Sequence, residues 1–119
     1  MKPLGPIPAG WEAVDGVLAI AGRPVTDWVE QAGSTPLFLY SADLLRARVA
    51  RLRAAMPDRL ALHYAVKANP FPPLLALMNG LVDGFDIASG GELAIVQQAG
   101  IAPSRVSFAG PGKRDAELE

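Results

Sequence analysis

A lysine lies near the end of an apolar stretch, LALHYAVKANPFPP, at residues 60–73. Burial of an ammonium group is costly without a compensating partner, so the position of Lys67 needs a reason. If the stretch is a β-strand, alternate side chains point to opposite faces. One face is then bulky, and the other is small apart from a histidine and the lysine: Leu60, Leu62, Tyr64 and Val66 against Ala61, His63, Ala65 and Lys67. The small face leaves space beside the lysine.

Lys67 could act as a nucleophile toward a carbonyl compound. It lies at the predicted carboxyl end of the strand, where ligands bind in parallel α/β folds. A partly desolvated lysine can lose its proton, and the free amine then forms a Schiff base with an aldehyde or ketone. The alternative is a strand-end lysine whose flexible stem reaches solvent. His63 could equally be a hydrogen-bonded rim imidazole, and without a second candidate ligand it predicts no metal site.

Alternating strands and helices must position these residues. Strands are predicted at 17–25 (two short strands around an Ala-Gly turn, or one strand followed by a turn), 34–40, 60–69, 83–89 and 104–112, the last running into a Gly-Pro loop. Helices are predicted at 26–33, with Thr26 as N-cap and Gly33 as stop, at 41–57 with Ser41 as cap, at 71–81 and at 90–100. The final RDAELE is typical of a first helical turn. The order predicts right-handed βαβ units and a parallel sheet.

Composition excludes several classes of function. The chain has 119 residues, half of them hydrophobic, which indicates about one globular domain. The net charge of −1 indicates neither a nucleic-acid nor a membrane-surface partner, and the arginines of residues 41–57 are best interpreted as a solvated helix face. With no cysteine, these residues hold no disulfide framework. No stretch resembles a signal peptide or a bilayer span, so a cytoplasmic location is expected.

Three segments together resemble the fold-type III pyridoxal-phosphate enzymes: YAVKAN (64–69), FDIASGGEL (85–93) and FAGPGKRDAEL (108–118). They are most similar to the diaminopimelate, ornithine and arginine decarboxylase group, and TPLFLYSADLLRAR resembles the strand and helix that precede the lysine in that family. The opening MKPLGPIPAGW and the loop from Phe108 further resemble the subgroup associated with exosortase A systems, which is found beside bacterial exopolysaccharide and protein-sorting genes.

The resemblance implies a role for each matched residue. Lys67 would hold pyridoxal 5′-phosphate as a Schiff base, and Asp86 and Glu92 match acidic positions near the lysine and the cofactor. Asp86 could instead be an ordinary strand-end acid, and Glu92 a first-turn helix acid favoured by the dipole. Ser89 and the two glycines after it are better interpreted as an N-cap and a tight turn. GPGKR (110–114) is an active-site loop at most.

The resemblance also implies an incomplete molecule. The expected fold is α/β: residues 34–119 form the first strands and helices of an alanine-racemase-like (β/α)8 barrel, and residues 1–33 contribute to a separate β-domain. The expected activity is release of carbon dioxide from a basic or diamino acid, by a homodimer when the protein is full length, with the 119-residue chain alone inactive. The alternatives are an amino-acid racemase on the same barrel and a non-catalytic truncated barrel protein.

Overall fold

The computed structural model describes residues 6, 11–110 and 113–118. It divides the chain into two compact units, with the division between Arg48 and Val49. The predicted boundary between a β-domain segment and the barrel portion, after Gly33, lies inside the first unit and stays a prediction.

The first unit contains a three-stranded antiparallel sheet in the order β1 (Glu12–Val14), β2 (Val17–Ile20), β3 (Arg23–Pro24). Ala21 and Gly22 connect β2 and β3 with φ angles of 54° and 72°. Two successive positive φ angles are typical of the tight turn that matches the twist of a hairpin. Of the two alternatives predicted for residues 17–25, the structure therefore shows the two short strands around an Ala-Gly turn.

Helix α1 (Val25–Ala32) follows β3 directly. It ends at Gly33, whose left-handed φ of 76° confirms the predicted stop. Thr26 was expected as the N-cap, but the cap is Pro24 and Thr26 lies inside the helix. The reason is that β3 is still paired with β2 at Pro24, so the chain enters the helix from the strand without an intervening loop.

Residues 34–40 form no strand, contrary to the prediction. A strand needs a hydrogen-bonded neighbour, and neither described sheet extends to this segment. The segment contains a cis peptide bond before Pro36 and exposes 84% of Phe38. Helix α2 (Ala42–Ala55) then begins after Ser41, whose Oγ accepts a hydrogen bond from the Leu44 N–H at 3.3 Å, as predicted for the cap.

The second unit is a three-stranded parallel sheet with helices between its strands. The strands are β4 (His63–Ala65), β5 (Gly84–Ile87) and β6 (Val106–Phe108), in that spatial order. Helix α3 (Pro72–Asn79) connects β4 to β5, and α4 (Gly90–Gln98) connects β5 to a 3-10 turn (Pro103–Arg105) that leads into β6. A short helix, α5 (Asp115–Leu118), follows. The predicted βαβ order and parallel sheet are confirmed.

The core of the second unit centres on β5. Phe85 and Ile87 are 0% and 1% exposed, whereas Asp86 between them is only partly buried. Leu75 of α3 and Val96 of α4 are also fully buried, so helices and sheet share one apolar layer. The two prolines at the start of α3 occupy positions where a missing N–H costs nothing, as predicted.

Arginine side chains hold the amino-terminal end of this sheet. The Arg105 guanidinium donates hydrogen bonds to the backbone oxygens of Asn79 (3.1 Å), Val82 (2.6 Å) and Asp83 (3.1 Å), and to the Asn79 side chain. Arg53 of α2 forms an ion pair with the Asp83 carboxylate at 2.6 Å. Strands β5 and β6 are thereby fixed at the end opposite to the one where β4 leads into Lys67.

No helix among residues 11–110 and 113–118 has the length and apolar character needed to cross a membrane.

Candidate functional site

Lys67 lies in a single 3-10 turn, Val66–Ala68, directly after β4. The prediction of a strand that continues through Lys67 is wrong. Pairing with β5 ends at Ala65, opposite Asp86, and the Val66 carbonyl then accepts a hydrogen bond from the Asn69 N–H at 3.1 Å. This local bond closes the turn, so alternation of strand faces stops before the lysine. Lys67 is exposed.

Tyr64 and Asn69 brace the turn from both sides. The Tyr64 hydroxyl donates to the Asn69 carbonyl at 3.0 Å, and the Asn69 side-chain oxygen accepts from the Phe71 N–H at 3.0 Å. The Tyr64 ring packs edge-on against Phe85 of the buried core, with centroids 6.1 Å apart. The turn that carries Lys67 is therefore attached to the core by residues of its own YAVKAN segment.

Asp86 lies on the neighbouring strand, on the face opposite to Phe85 and Ile87. Its register partners are Ala65 of β4 and Ser107 of β6. Lys67 follows Ala65 by two positions in the chain. The Ser107 hydroxyl donates to Asp86 Oδ1 at 3.0 Å. Two strands thus bring Asp86 and the Lys67 turn to the same, carboxyl end of the sheet, and β5 contacts the turn.

Glu92 is held at the start of α4. Its Oε2 accepts a hydrogen bond from the Ala88 N–H at 3.0 Å, while Ser89 Oγ accepts from the Glu92 N–H at 3.2 Å. This reciprocal pattern is close to a capping box, and it confirms the interpretation of Ser89 as an N-cap. The structure therefore gives Glu92 a structural contact, and its role beside the cofactor stays a prediction.

The segment after β6 packs closely against the start of α4. A Cβ atom at Gly110 would lie 2.3 Å from the Ala88 carbonyl oxygen, so only glycine fits there. The Glu117 carboxylate of α5 accepts hydrogen bonds from the Arg114 N–H (2.8 Å) and the Gly90 N–H (3.1 Å). The first of these bonds, assisted by the second, lowers the pKa of Glu117. Pro111 and Gly112 of the predicted GPGKR loop lie outside the described residues.

Ser107 is the site residue that the sequence analysis missed. It lies on β6, 21 residues from Asp86, and a serine in a strand carries no signal of its own. The available signal was strand alternation: in SRVSF the serine at 107 falls on the face opposite to Val106 and Phe108, and that face also carries Asp86 on β5.

Comparison with known proteins identifies the class. Residues 42–119 match the family described as pyridoxal-dependent decarboxylase, pyridoxal binding domain. The diaminopimelate decarboxylase of Aquifex aeolicus is 44% identical over 104 residues, which are 87% of this chain and 24% of that protein. The L-glutamyl-[BtrI acyl-carrier protein] decarboxylase of Niallia circulans is 35% identical over 85 residues, 71% of this chain and 20% of that protein.

A solved structure supports the same assignment. The diaminopimelate decarboxylase of M. jannaschii in complex with L-lysine aligns with a TM-score of 0.74 and 26% sequence identity, over 92% of this chain and 27% of that one. The parallel sheet and the helices of the second unit are therefore part of the pyridoxal-phosphate barrel fold. The chain spans about a quarter of the length of the relatives that it matches.

The chain belongs to the pyridoxal-dependent decarboxylase family, through its pyridoxal-binding domain. The cofactor of this family is pyridoxal 5′-phosphate, and the residues present fit its aldehyde end: a primary amine is exposed on a braced turn, with a carboxylate on the adjacent strand. In a decarboxylase of this family, the bound cofactor would supply an electron sink for the carbanion left by departure of carbon dioxide. The resemblance to the exosortase-associated subgroup stays a prediction.

Proposed function

We propose that this chain is the N-terminal part of a pyridoxal-phosphate-dependent amino-acid decarboxylase in which Lys67 holds the cofactor. The observation that carries the proposal is the location of Lys67. Its amine is exposed at the carboxyl end of β4, on a turn braced by Tyr64 and Asn69, in a chain of this family. Lys67 would hold the cofactor through its side-chain amine, a nucleophile that would bond to the aldehyde carbon with loss of the aldehyde oxygen as water.

The other residues of the site have supporting roles in this proposal. Asp86 presents a carboxylate at the sheet edge next to the Lys67 turn, where it can pair with a positively charged group of the reacting partners. Glu92 keeps the start of α4 in place against Ala88. The proposed substrate is a basic or diamino acid, which agrees with the L-lysine complex of the M. jannaschii relative and the name of the Aquifex aeolicus relative. A homodimer of the longer protein is part of the same proposal.

Selective labelling of Lys67 tests this function. The chain has three lysines, Lys2, Lys67 and Lys113, so the two others are internal competitors for the aldehyde. Purified chain would be incubated with pyridoxal 5′-phosphate, reduced with borohydride and digested, and the label on each lysine would be measured by mass spectrometry. We expect Lys67 to carry most of the label.

Two charge-preserving variants complete the experiment. Lys67→Arg keeps a cation but removes the nucleophilic amine, so it should abolish the main labelled peptide, whereas Lys113→Arg should leave it unchanged. Equal labelling of Lys67 and Lys113 would refute the proposal, because the turn would then give Lys67 no advantage over an exposed loop lysine. Release of carbon dioxide from L-lysine by the 119-residue chain alone is not expected.

A further inference from the structure

Polar side chains from all three parallel strands meet on the sheet face that carries Asp86. The Ser107 hydroxyl of β6 lies 3.0 Å from Asp86 Oδ1 of β5 and 3.3 Å from His63 Nδ1 of β4. His63 and Ser107 are 44 positions apart in the chain, so only the parallel register brings them together. The resulting His63–Ser107–Asp86 network ends at the carboxylate on the Lys67 side of the sheet.

Proton counting fixes the direction of the hydrogen bonds. A serine hydroxyl has one proton to donate, and the Phe85 carbonyl at 3.4 Å competes with Asp86 Oδ1 for it. The carboxylate is both nearer and charged, so it takes the proton. Ser107 can then only accept from His63, which requires a proton on Nδ1 of the imidazole.

Gly84 makes room for this imidazole. It is the register partner of His63, and a Cβ atom there would lie 2.6 Å from His63 Cε1 and 2.7 Å from Nε2. Such distances are far below van der Waals contact, so any larger residue at this position would move the ring. The glycine therefore lets the ring lie across β5 within reach of Ser107.

We propose that His63 and Ser107 are positioning residues that hold the Asp86 carboxylate in one orientation beside the cofactor lysine. Because Oδ1 is engaged by Ser107, Oδ2 is the oxygen left for the reacting groups. The part that concerns Lys67 rests on the proposed function. The network itself is a property of the folded chain and can be measured without cofactor.

Nuclear magnetic resonance of the isotope-labelled chain tests the network directly. His63 is the only histidine in the chain, so both imidazole nitrogen signals belong to this residue. We expect the Nδ1–H tautomer in the neutral ring, and a shift of the Asp86 carboxylate carbon in both Ser107→Ala and His63→Phe. His63→Asn keeps a side-chain N–H donor and should restore the resonance in part. Ser104→Ala, at an exposed serine of the turn before β6, should leave it unchanged.

The outcomes of this measurement are decisive. Observation of the Nε2–H tautomer would overturn the proposal. So would an Asp86 carboxylate chemical shift that is unchanged in Ser107→Ala. The expected tautomer and carboxylate shift would establish that the network holds Asp86. The second measurement then tests whether the network affects the reactivity of Lys67.

Labelling of Lys67 by pyridoxal 5′-phosphate and borohydride is the second measurement. Ser107→Ala should slow labelling about fivefold, the factor that corresponds to one hydrogen bond of ordinary strength. The same substitution should have no effect in an Asp86→Ala background, because the carboxylate that Ser107 holds is then absent. Absence of Lys67 labelling in the unsubstituted chain would overturn the proposed function. Labelling of Lys67 that is indifferent to Ser107→Ala would overturn only the positioning role.

Discussion

Replacement of Arg105 by methionine tests the arginine that holds the amino-terminal end of the parallel sheet. Methionine keeps most of the apolar stem and removes every donor. The substitution leaves the backbone carbonyls of Asn79, Val82 and Asp83 without the guanidinium, and it removes a cation 5.9 Å from the centroid of the Phe85 ring. These groups join the end of α3 to the starts of β5 and β6.

The magnitude follows from the number of bonds and their access to water. Three backbone carbonyls and one side-chain amide lose a donor, and each net hydrogen bond contributes about 1 kcal/mol. Water can replace part of the loss, because Arg105 is only partly buried. The expected destabilisation of the second unit is therefore about 2–3 kcal/mol, against a typical domain stability of about 5–15 kcal/mol. Arg105→Lys should lose about half as much stability, because the ammonium keeps some of the donors but cannot match the planar geometry of the guanidinium.

Native-state hydrogen exchange is the suitable assay, since both tryptophans belong to the first unit and do not report on this sheet. The amides of Phe85 and Ile87 should lose protection by a factor of about 30–150, the equivalent of 2–3 kcal/mol. Arg51→Met, at an exposed arginine of α2, is the matched control and should change protection by less than about threefold. Equal protection in the two variants would refute the reasoning.

Three further contacts of the second unit can be tested by substitution and measurement of unfolding. The ion pair with Arg53 and the hydrogen bond from a backbone N–H lower the pKa of Asp83 from 3.8 to about 2. The contribution of the Asp83 carboxylate to stability is therefore complete above pH 4 and is lost as the pH falls toward 2. Acid titration of unfolding should show that this loss is absent in Asp83→Asn. Ser89→Ala should destabilise by about 1 kcal/mol in urea unfolding through loss of the N-cap, and Ser89→Asp should not. Gly110→Ala should cost about 1–3 kcal/mol, because its Cβ would meet a backbone oxygen at 2.3 Å.

Each of these three has a result that would contradict it. A pH dependence between 4 and 2 that is identical with and without the Asp83 carboxylate would assign the acid loss to other groups. Equal stability of the alanine and aspartate variants at position 89 would show that the N-cap hydrogen bond does not stabilise α4. For Gly110, the control is Gly91→Ala, where the nearest atom is 3.8 Å away; the two glycine variants should differ, and equal midpoints would be inconsistent with the close approach.

The order of elements could be predicted from the sequence because each signal is local. Two prolines mark the start of α3, a serine marks the start of α4, and Gly33 ends α1 by adopting a left-handed conformation. The parallel sheet follows from strands that alternate with helices. The YAVKAN segment predicts a cofactor lysine at Lys67 only together with FDIASGGEL and the loop after β6, through their resemblance to the family. The contacts of Tyr64 and Asn69 hold the turn that carries this lysine.

Non-local contacts could not be predicted from the same signals. Arg105 resembles an ordinary charged residue ahead of a strand, because its acceptors are backbone carbonyls that lie 22–26 positions earlier. The apolar run at 34–40 was predicted as a strand, yet no described strand pairs with it. The turn at Lys67 was missed because its apolar neighbours continue the strand pattern, while the single bond from Asn69 to Val66 ends the strand.

The four residues of β5, GFDI, have a consequence for errors of assembly. A slip by one position would exchange the two faces of the strand. Phe85 and Ile87 would leave the apolar layer, at a cost of about 1.5–3 kcal/mol each, and the Asp86 carboxylate would enter it without a partner. The same slip would place a side chain where the His63 ring requires glycine. A mispaired β5 would therefore lose its apolar burial and the contact between Ser107 and Asp86 together, so a folded sheet is one in which this contact is already made.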